Sequence, residues 1–325
     1  MIVVNFVLLI FLCGSVWMKK CLPAEEIFPC VCQEEPNEEN LSNILLKCFQ
    51  ISDEQVLEEV IGKFRGLSIY ELKIEKSSLP YLPHGLLSNI SLSKFILSET
   101  TLPALIPPIP GPSPFQGLDK VLNLFQVSQC VGLNGWELGA LGNLQNLESF
   151  IVKDSDLHFV TDKFNQFLTK KMIFFTISNN KIKYIDDKAF TNLMGIEIFD
   201  ISGNGISELK RSMFPRPASK LNFLNLAVNN LQMLPEDFFE DMPSLKFLLL
   251  QENKLQTLPS EPFKILFENY GNFFFSGNPI VCDCRLRWIT MMVPRPKINM
   301  KCAWPPDLMD VSFNEIETQQ LVCRL

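Results

Sequence analysis

Between residues 172 and 278, apolar side chains fall in one arrangement five times over: MIFFTISNNKI from Met172, IEIFDISGNGI from Ile196, LNFLNLAVNNL from Leu221, LKFLLLQENKL from Leu245 and YGNFFFSGNPI from Tyr270. Each copy reads apolar-x-x-apolar-x-apolar-x-x-Asn-x-apolar, and the starts lie 24, 25, 24 and 25 residues apart. The alternation inside a copy predicts a short strand: Phe199 and Ile201, or Leu224 and Leu226, face a core, and the residues between them face outward. Asn180, Asn204, Asn229, Asn253 and Asn278 fall where the chain turns away from the strand, so their amides are placed to bond backbone groups of the neighbouring coil. Phe190, Phe214, Phe239 and Phe263 each follow the start of their copy by eighteen residues and predict an aromatic spine on the return side. The return segments hold Pro, Asp and short apolar patches with no long apolar run at helical spacing, so extended or single-turn structure is expected there.

A unit of this size cannot bury its own apolar face, so neighbours must stack and share one continuous core. Self-similarity at this period is the signature of a leucine-rich repeat. The expected fold is an α/β repeat solenoid, a leucine-rich repeat horseshoe with a parallel concave β-sheet. Its convex side should be mostly irregular or single-turn, with disulfide caps at both ends. Weaker copies start at Ile69, Leu92, Leu122 and Leu147, making about nine, with Ser77, Thr100, Cys130 and Ser155 in the asparagine column. The N-terminal half is therefore expected to be less regular. The copy at Leu92 runs 30 residues because it carries TLPALIPPIPGPSP, whose six prolines cannot join a ladder and must loop outward. A PxxP recognition motif is the sharper alternative for that stretch.

The chain has 325 residues, a formal net charge of -7 and a pI near 5.1. That balance gives no basic footprint, so nucleic acid is set aside as a partner. A repeat array absorbs the length as one elongated domain. An apolar run over residues 2–13, followed by Gly14 and Ser15, reads as the core of a signal peptide spanning residues 1–20, with cleavage between about Gly14 and Lys20. An uncleaved anchor is the alternative. With no second apolar stretch and only two residues after Cys323, no membrane anchor is expected.

Eight of the ten cysteines form two clusters at the ends of the array: Cys21, Cys30, Cys32 and Cys48, then Cys282, Cys284, Cys302 and Cys323. In a secreted chain these suit disulfide caps, although four cysteines allow three connectivities. A zinc site on C-x-C is the rival reading, opposed by secretion and by the lack of a nearby histidine. Cys13 leaves with the signal peptide. Cys130 stands in the ladder column and is read as a buried thiol, against the alternative of a reactive one. Asn40 and Asn89 begin N-x-Ser triplets and are candidate glycosylation sites.

The segment CLPAEEIFPCVC, with a fourth cysteine in NILLKCF, resembles the N-terminal cysteine cap of extracellular leucine-rich repeat proteins, and GNPIVCDCRLRW with Cys302 and Cys323 resembles their C-terminal cap. The resemblance implies the pairs Cys21–Cys32 and Cys30–Cys48, then Cys282–Cys302 and Cys284–Cys323, with Leu286, Trp288 and Ile289 packing over the last coil. It divides the chain into a cap over residues 21–65, repeats over 66–279 and a cap over 280–325. More narrowly, the chain resembles arthropod secreted proteins similar to the non-catalytic subunit of the shrimp luciferase, Oplophorus-luciferin 2-monooxygenase. That likeness implies a non-enzymatic chain that accompanies, shields or solubilises another secreted protein.

Candidate chemistry is sparse. The two histidines, His84 and His158, sit in no metal-ligand spacing and beside no nucleophile motif, and no Gly-rich phosphate loop is present. No enzymatic activity, cofactor or metal is expected. The outward-facing strand residues are more informative. One column reads Glu71, Lys94, Leu124, Ser149, Phe174, Ile198, Phe223, Phe247 and Asn272, and its neighbour reads Lys73, Ile96, Gln126, Ile151, Thr176, Asp200, Asn225, Leu249 and Phe274. Phe174, Ile198, Phe223, Phe247, Leu249 and Phe274 would make an apolar patch larger than a soluble monomer usually exposes. The expected occupant is a secreted protein partner or a lipophilic ligand, in an accessory or scaffolding role or in recognition of a receptor or innate-immune type. Side chains of the array's own loops lying across the face are the alternative.

Overall fold

The computed structural model describes residues 21–36 and 42–323; the signal-peptide reading and Asn40 lie outside the described residues. The strands are β1 (Cys30–Pro36), β2 (Ser42–Phe49), β3 (Ser68–Glu75), β4 (Ser91–Ser98), β5 (Leu124–Ser128), β6 (Ser149–Lys153), β7 (Phe159–Val160), β8 (Phe174–Ser178), β9 (Tyr184–Ile185), β10 (Ile198–Asp200), β11 (Phe223–Asn225), β12 (Phe247–Leu249), β13 (Asn272–Phe274) and β14 (Ile298–Asn299). All but β7 and β9 join one twelve-stranded sheet in chain order. Strand β1 runs antiparallel to β2, and from β2 onward every neighbour is parallel. Each of the nine copies found in the sequence supplies one strand of this solenoid.

The core follows from the pattern. The fourth position of each copy gives Leu72, Phe95, Phe125, Phe150, Phe175, Phe199, Leu224, Leu248 and Phe273, all buried. Five of these rings form a continuous ladder, with centroids 5.5 Å apart for Phe95–Phe125, 5.9 Å for Phe125–Phe150, 5.7 Å for Phe150–Phe175 and 5.3 Å for Phe175–Phe199. Such spacing is that of favourable aromatic pairs.

The asparagine column bridges coil to coil. Asn229 donates from Nδ2 to the Ile201 carbonyl of the preceding repeat at 3.1 Å and accepts the Ile206 N–H at 3.1 Å. Asn253 does the same with Leu226 O at 2.9 Å and Leu231 N at 3.0 Å, and Asn278 with Leu250 O at 2.7 Å and Leu255 N at 2.9 Å. Buried backbone groups that a turn would orphan are thereby satisfied. In the earlier repeats Ser77 Oγ accepts from Ile51 N at 3.0 Å, and Ser155 Oγ accepts from Cys130 N at 3.0 Å.

The N-terminal half carries the longest strands, eight residues in β3 and β4 and five in β5 and β6, whereas β10 to β13 have three each, so strand length varies in the first half and is uniform in the second. In β10 and β11 the cause of the shortening is local: Asp200 Oδ1 takes the Ser202 N–H at 2.8 Å and Asn225 Oδ1 the Ala227 N–H at 3.1 Å, which turns the chain out of the ladder. The return side is mostly single-turn, yet two segments form helices: α1 (Glu54–Gly62), between β2 and β3, and α2 (Ser260–Phe267), where Phe263, Leu266 and Phe267 recur at three and four residues and all are buried. The return-side spine also takes one step more than the fixed offset implies: Phe214 meets Phe238 at 5.6 Å, Phe238 meets Phe239 at 5.1 Å, and Phe239 meets Phe263 at 5.6 Å.

Both ends are closed covalently. Cys21–Cys32 ties the first described residue to β1, Cys30–Cys48 ties β1 to β2, the strand that opens the parallel sheet, and Cys282–Cys302 and Cys284–Cys323 staple the other end. There Leu286 and Ile289 are fully buried. Trp288 stacks on Phe267 at 5.7 Å and donates its indole N–H to the Leu258 carbonyl at 2.9 Å.

Candidate functional site on the sheet face

Strand alternation and an unbroken register decide which side chains line the open face. Phe174 pairs with Ile198, Ile198 with Phe223, Phe223 with Phe247 and Phe247 with Asn272, so one column is continuous across five strands. In the second column Asp200, Asn225, Leu249 and Phe274 are successive partners. The residues between them in sequence, Phe199, Leu224, Leu248 and Phe273, are buried beneath. The six apolar residues singled out above thus stand together on one face.

Their exposure is uneven. Phe174 and Phe247 are 42% and 37% exposed, whereas Ile198, Phe223, Leu249 and Phe274 are half-buried against one another. Phe223 and Phe247 show the packing directly, with tilted rings 6.2 Å apart. Strands about 4.8 Å apart bring neighbouring aromatic side chains into contact along the column, so part of each ring is covered by the next. What remains is a low apolar surface with two projecting rings.

Charge on the face gathers toward its two ends, with Asp200 between them. At the N-terminal end part of it is internally paired: Lys73 Nζ lies 2.7 Å from Glu75 Oε2, and Lys94 Nζ sits 4.5 Å above the Tyr70 ring. The hydrogen bond from Lys73 holds the Glu75 carboxyl below its ordinary range. At the C-terminal end β14 adds one more strand, with Phe274 paired to Asn299 and Phe273 to the buried Ile298. The sequence KINMK alternates across it, leaving Lys297, Asn299 and Lys301 exposed on the open side. These lysines escaped the sequence reading because the segment was assigned to a cap, although its alternation was available. A cleft of about 390 Å3 opens there, lined by Asn272, Phe274, Lys297, Asn299, Lys301 and Ser312 among others.

The remaining candidates lie elsewhere. Cys130 is buried and free, its Sγ 3.3 Å from the Ser128 carbonyl, and burial pushes its thiol upward. Asn89 presents an exposed side chain at the turn before β4, with a left-handed φ of 60° that asparagine tolerates. His84 clasps the proline loop, with Nδ1 3.0 Å from the Pro112 carbonyl and Nε2 2.9 Å from that of Ile109. His158 Nδ1 lies 2.7 Å from the Asn134 amide nitrogen. No group of three or more His, Cys, Asp or Glu suited to a metal occurs among the described residues, and no helix among them is long and apolar enough to cross a membrane.

Comparison with known proteins bears on the fold. No family model matches the chain. Human Toll-like receptor 8 is 26% identical over 215 residues, covering 58% of this chain and 19% of that receptor. A leucine-rich repeat and fibronectin type III domain-containing protein 1 of Danio rerio is 29% identical over 148 residues, covering 45% of this chain and 22% of that protein. The chain thus spans about a fifth of the length of the curated relatives it matches. Among solved structures, human trophoblast glycoprotein superposes with a TM-score of 0.56 at 15% identity, covering 89% of this chain and 98% of that one. A chain of the octameric complex of latrophilin 3, Unc5D and FLRT2, in which FLRT2 contributes its leucine-rich repeats, gives a TM-score of 0.54 at 18% identity, over 91% and 99%. A leucine-rich repeat protein of Leptospira interrogans gives 0.57 at 19%, over 75% and 56%. These likenesses agree with the repeat period, the ladder and the sheet register, and the chain is a leucine-rich repeat protein with disulfide-capped ends.

Proposed function

We propose that this is a secreted, non-enzymatic protein that binds a protein partner through the apolar half of its sheet face, as an accessory or scaffolding subunit. The observation that carries the reading is the continuous column Phe174–Ile198–Phe223–Phe247, which leaves two phenylalanine rings in solvent on a face whose other end is charged and partly self-paired. Rigid aromatic side chains on a regular surface are the usual anchors of protein interfaces. Secretion is supported by the four disulfides and the apolar run over residues 2–13. FLRT2 occurs in a complex with two other proteins, and the resemblance to the luciferase-associated chains favours the accessory role. The match to a Toll-like receptor favours a second reading, ligand recognition of a receptor or innate-immune type, in which the same face holds a lipophilic or microbial ligand.

The test is light scattering coupled to size exclusion on the native secreted protein, with mass spectrometry of whatever co-elutes. A stoichiometric second polypeptide that is lost in Phe223→Asp supports the proposal. An extractable small molecule in its place supports the second reading. Phe223 is half-buried on the open face and Leu226 is fully buried. Phe223→Asp should therefore be secreted at near-normal yield, whereas Leu226→Asp should not fold, because it places a charge in the core. Equal behaviour of the two variants would overturn the assignment of faces.

A further inference from the structure

We infer that the partner engages this face with an acidic extended segment, its apolar side chains over Phe223, Phe247 and Leu249 and its carboxylates against Lys297 and Lys301. The inference rests on the sheet-face reading and deepens it. Its first support is a charge asymmetry along one surface. The chain as a whole carries -7, yet the apolar columns run directly into exposed lysines. Neither Lys297 nor Lys301 has an ion-pair partner within 4.0 Å among the described residues, in contrast to Lys73 at the opposite end, which is paired with Glu75. Lys246, exposed beside Phe247, is likewise unpaired.

The second support is geometric. Lys297 lies two strands beyond Phe247 in the same column, because Asn272 pairs with Phe247 and β14 pairs with β13. Two strand spacings are about 10 Å, between the two-residue and four-residue repeats, about 7 and 13 Å, at which an extended chain shows side chains to one face. A segment crossing the strands with an apolar anchor followed two or four residues later by a carboxylate fits both features. The cleft beside Phe274, bounded by Lys297, Asn299 and Lys301, gives that carboxylate polar donors as well as charge. A third observation concerns access: both N-x-Ser triplets lie in the first 91 residues and none follows, so the C-terminal half of the face carries no acceptor for an N-linked glycan.

The experiment uses the disulfide-intact secreted protein and two fluorescent synthetic peptides that share a Leu-Phe-Leu-Phe half. One continues Asp-Glu-Asp-Glu and the other Lys-Arg-Lys-Arg, and binding is read by anisotropy at low and high salt. The overall negative charge of the protein favours the basic peptide by its long-range field, so a preference for the acidic one reports the local lysines. The expected result is tighter binding of the acidic peptide, weakened by salt, weakened about tenfold by Lys297→Glu with Lys301→Glu, and weakened by Phe247→Ala. Equal or tighter binding of the basic peptide, no effect of the lysine reversals, or no binding of either peptide overturns the inference. If Phe247→Ala weakens both peptides while the reversals change nothing, the acidic class falls and the sheet-face reading stands. If Phe247→Ala also changes nothing, the sheet-face reading falls with it.

Discussion

In every repeat the residue that precedes the ladder position is left-handed, from Lys76 at φ 51° through Asn179 at 51° and Gly203 at 65° to Glu252 at 53° and Gly277 at 75°. The turn that delivers the ladder side chain requires it. Val228 occupies this position at φ 55°, and a β-branched side chain is the least suited to it. Its side chain is 53% exposed, so little packing is at stake, and its N–H still reaches the Gln251 carbonyl at 2.8 Å. Val228→Gly or Val228→Asn should therefore stabilise the protein by about 0.5–1 kcal/mol, the relief of left-handed strain less the entropy that glycine adds. A rise in the thermal midpoint checks this, and a fall would mean that the valine contributes packing its exposure does not show. Cys130 is the opposite case, a residue whose column hides it. It is 1% exposed and burial raises its pKa, so it stays a neutral thiol at pH 7–8. Cys130 should react with iodoacetamide only after denaturation, and its alkylation at the rate of an exposed cysteine would contradict the burial.

At the scale of elements, the sequence was most legible where physics repeats. The period placed nine strands, and alternation placed Phe174, Ile198, Phe223, Phe247, Leu249 and Phe274 on one face, because both depend only on local spacing. How far each ring is exposed was not legible, since it depends on the size of the neighbour one strand away. The strand Ile298–Asn299, with the lysines beside it, was hidden by its assignment to a cap. The path of the proline loop was also hidden, because it is fixed by a contact from another repeat. Leu102 and Leu105 are buried and anchor its root, while Ile109 at its tip is 72% exposed. His84 sits between two carbonyls of the tip, its ring N–H donating to one of them, and Gly111 packs so closely that an added Cβ would lie 2.5 Å from Nε2 of that ring. Gly111→Ala should displace His84 and release the loop without touching the core beneath. Amide exchange over residues 106–112 should then quicken while the thermal midpoint moves by no more than about 1 kcal/mol in stability terms, as expected for a surface segment. Unchanged exchange would show that the prolines alone hold the loop.

At the scale of the whole molecule, a solenoid is a sum of repeats and the interfaces between neighbours, so its weakest points are the ends, where one interface is missing. The cystines sit at those ends. Their sequence separations are 11 and 18 residues in the N-terminal cap and 20 and 39 in the C-terminal one. In the chain-entropy account each such closure is worth roughly 3–4 kcal/mol. The central repeats owe nothing directly to these bonds; they are held by the Phe95–Phe199 ring ladder and by the asparagines that tie each coil to the next. Reduction under native conditions should therefore raise amide exchange first over residues 21–49 and 282–323, with β6 to β11 protected until higher denaturant. The lysines of the face would lose their framework along with the C-terminal cap, so an acidic peptide should dissociate before the central repeats open. Simultaneous loss of protection along the whole array would instead mean that the caps set the stability of the entire stack, and that the solenoid unfolds as one cooperative unit.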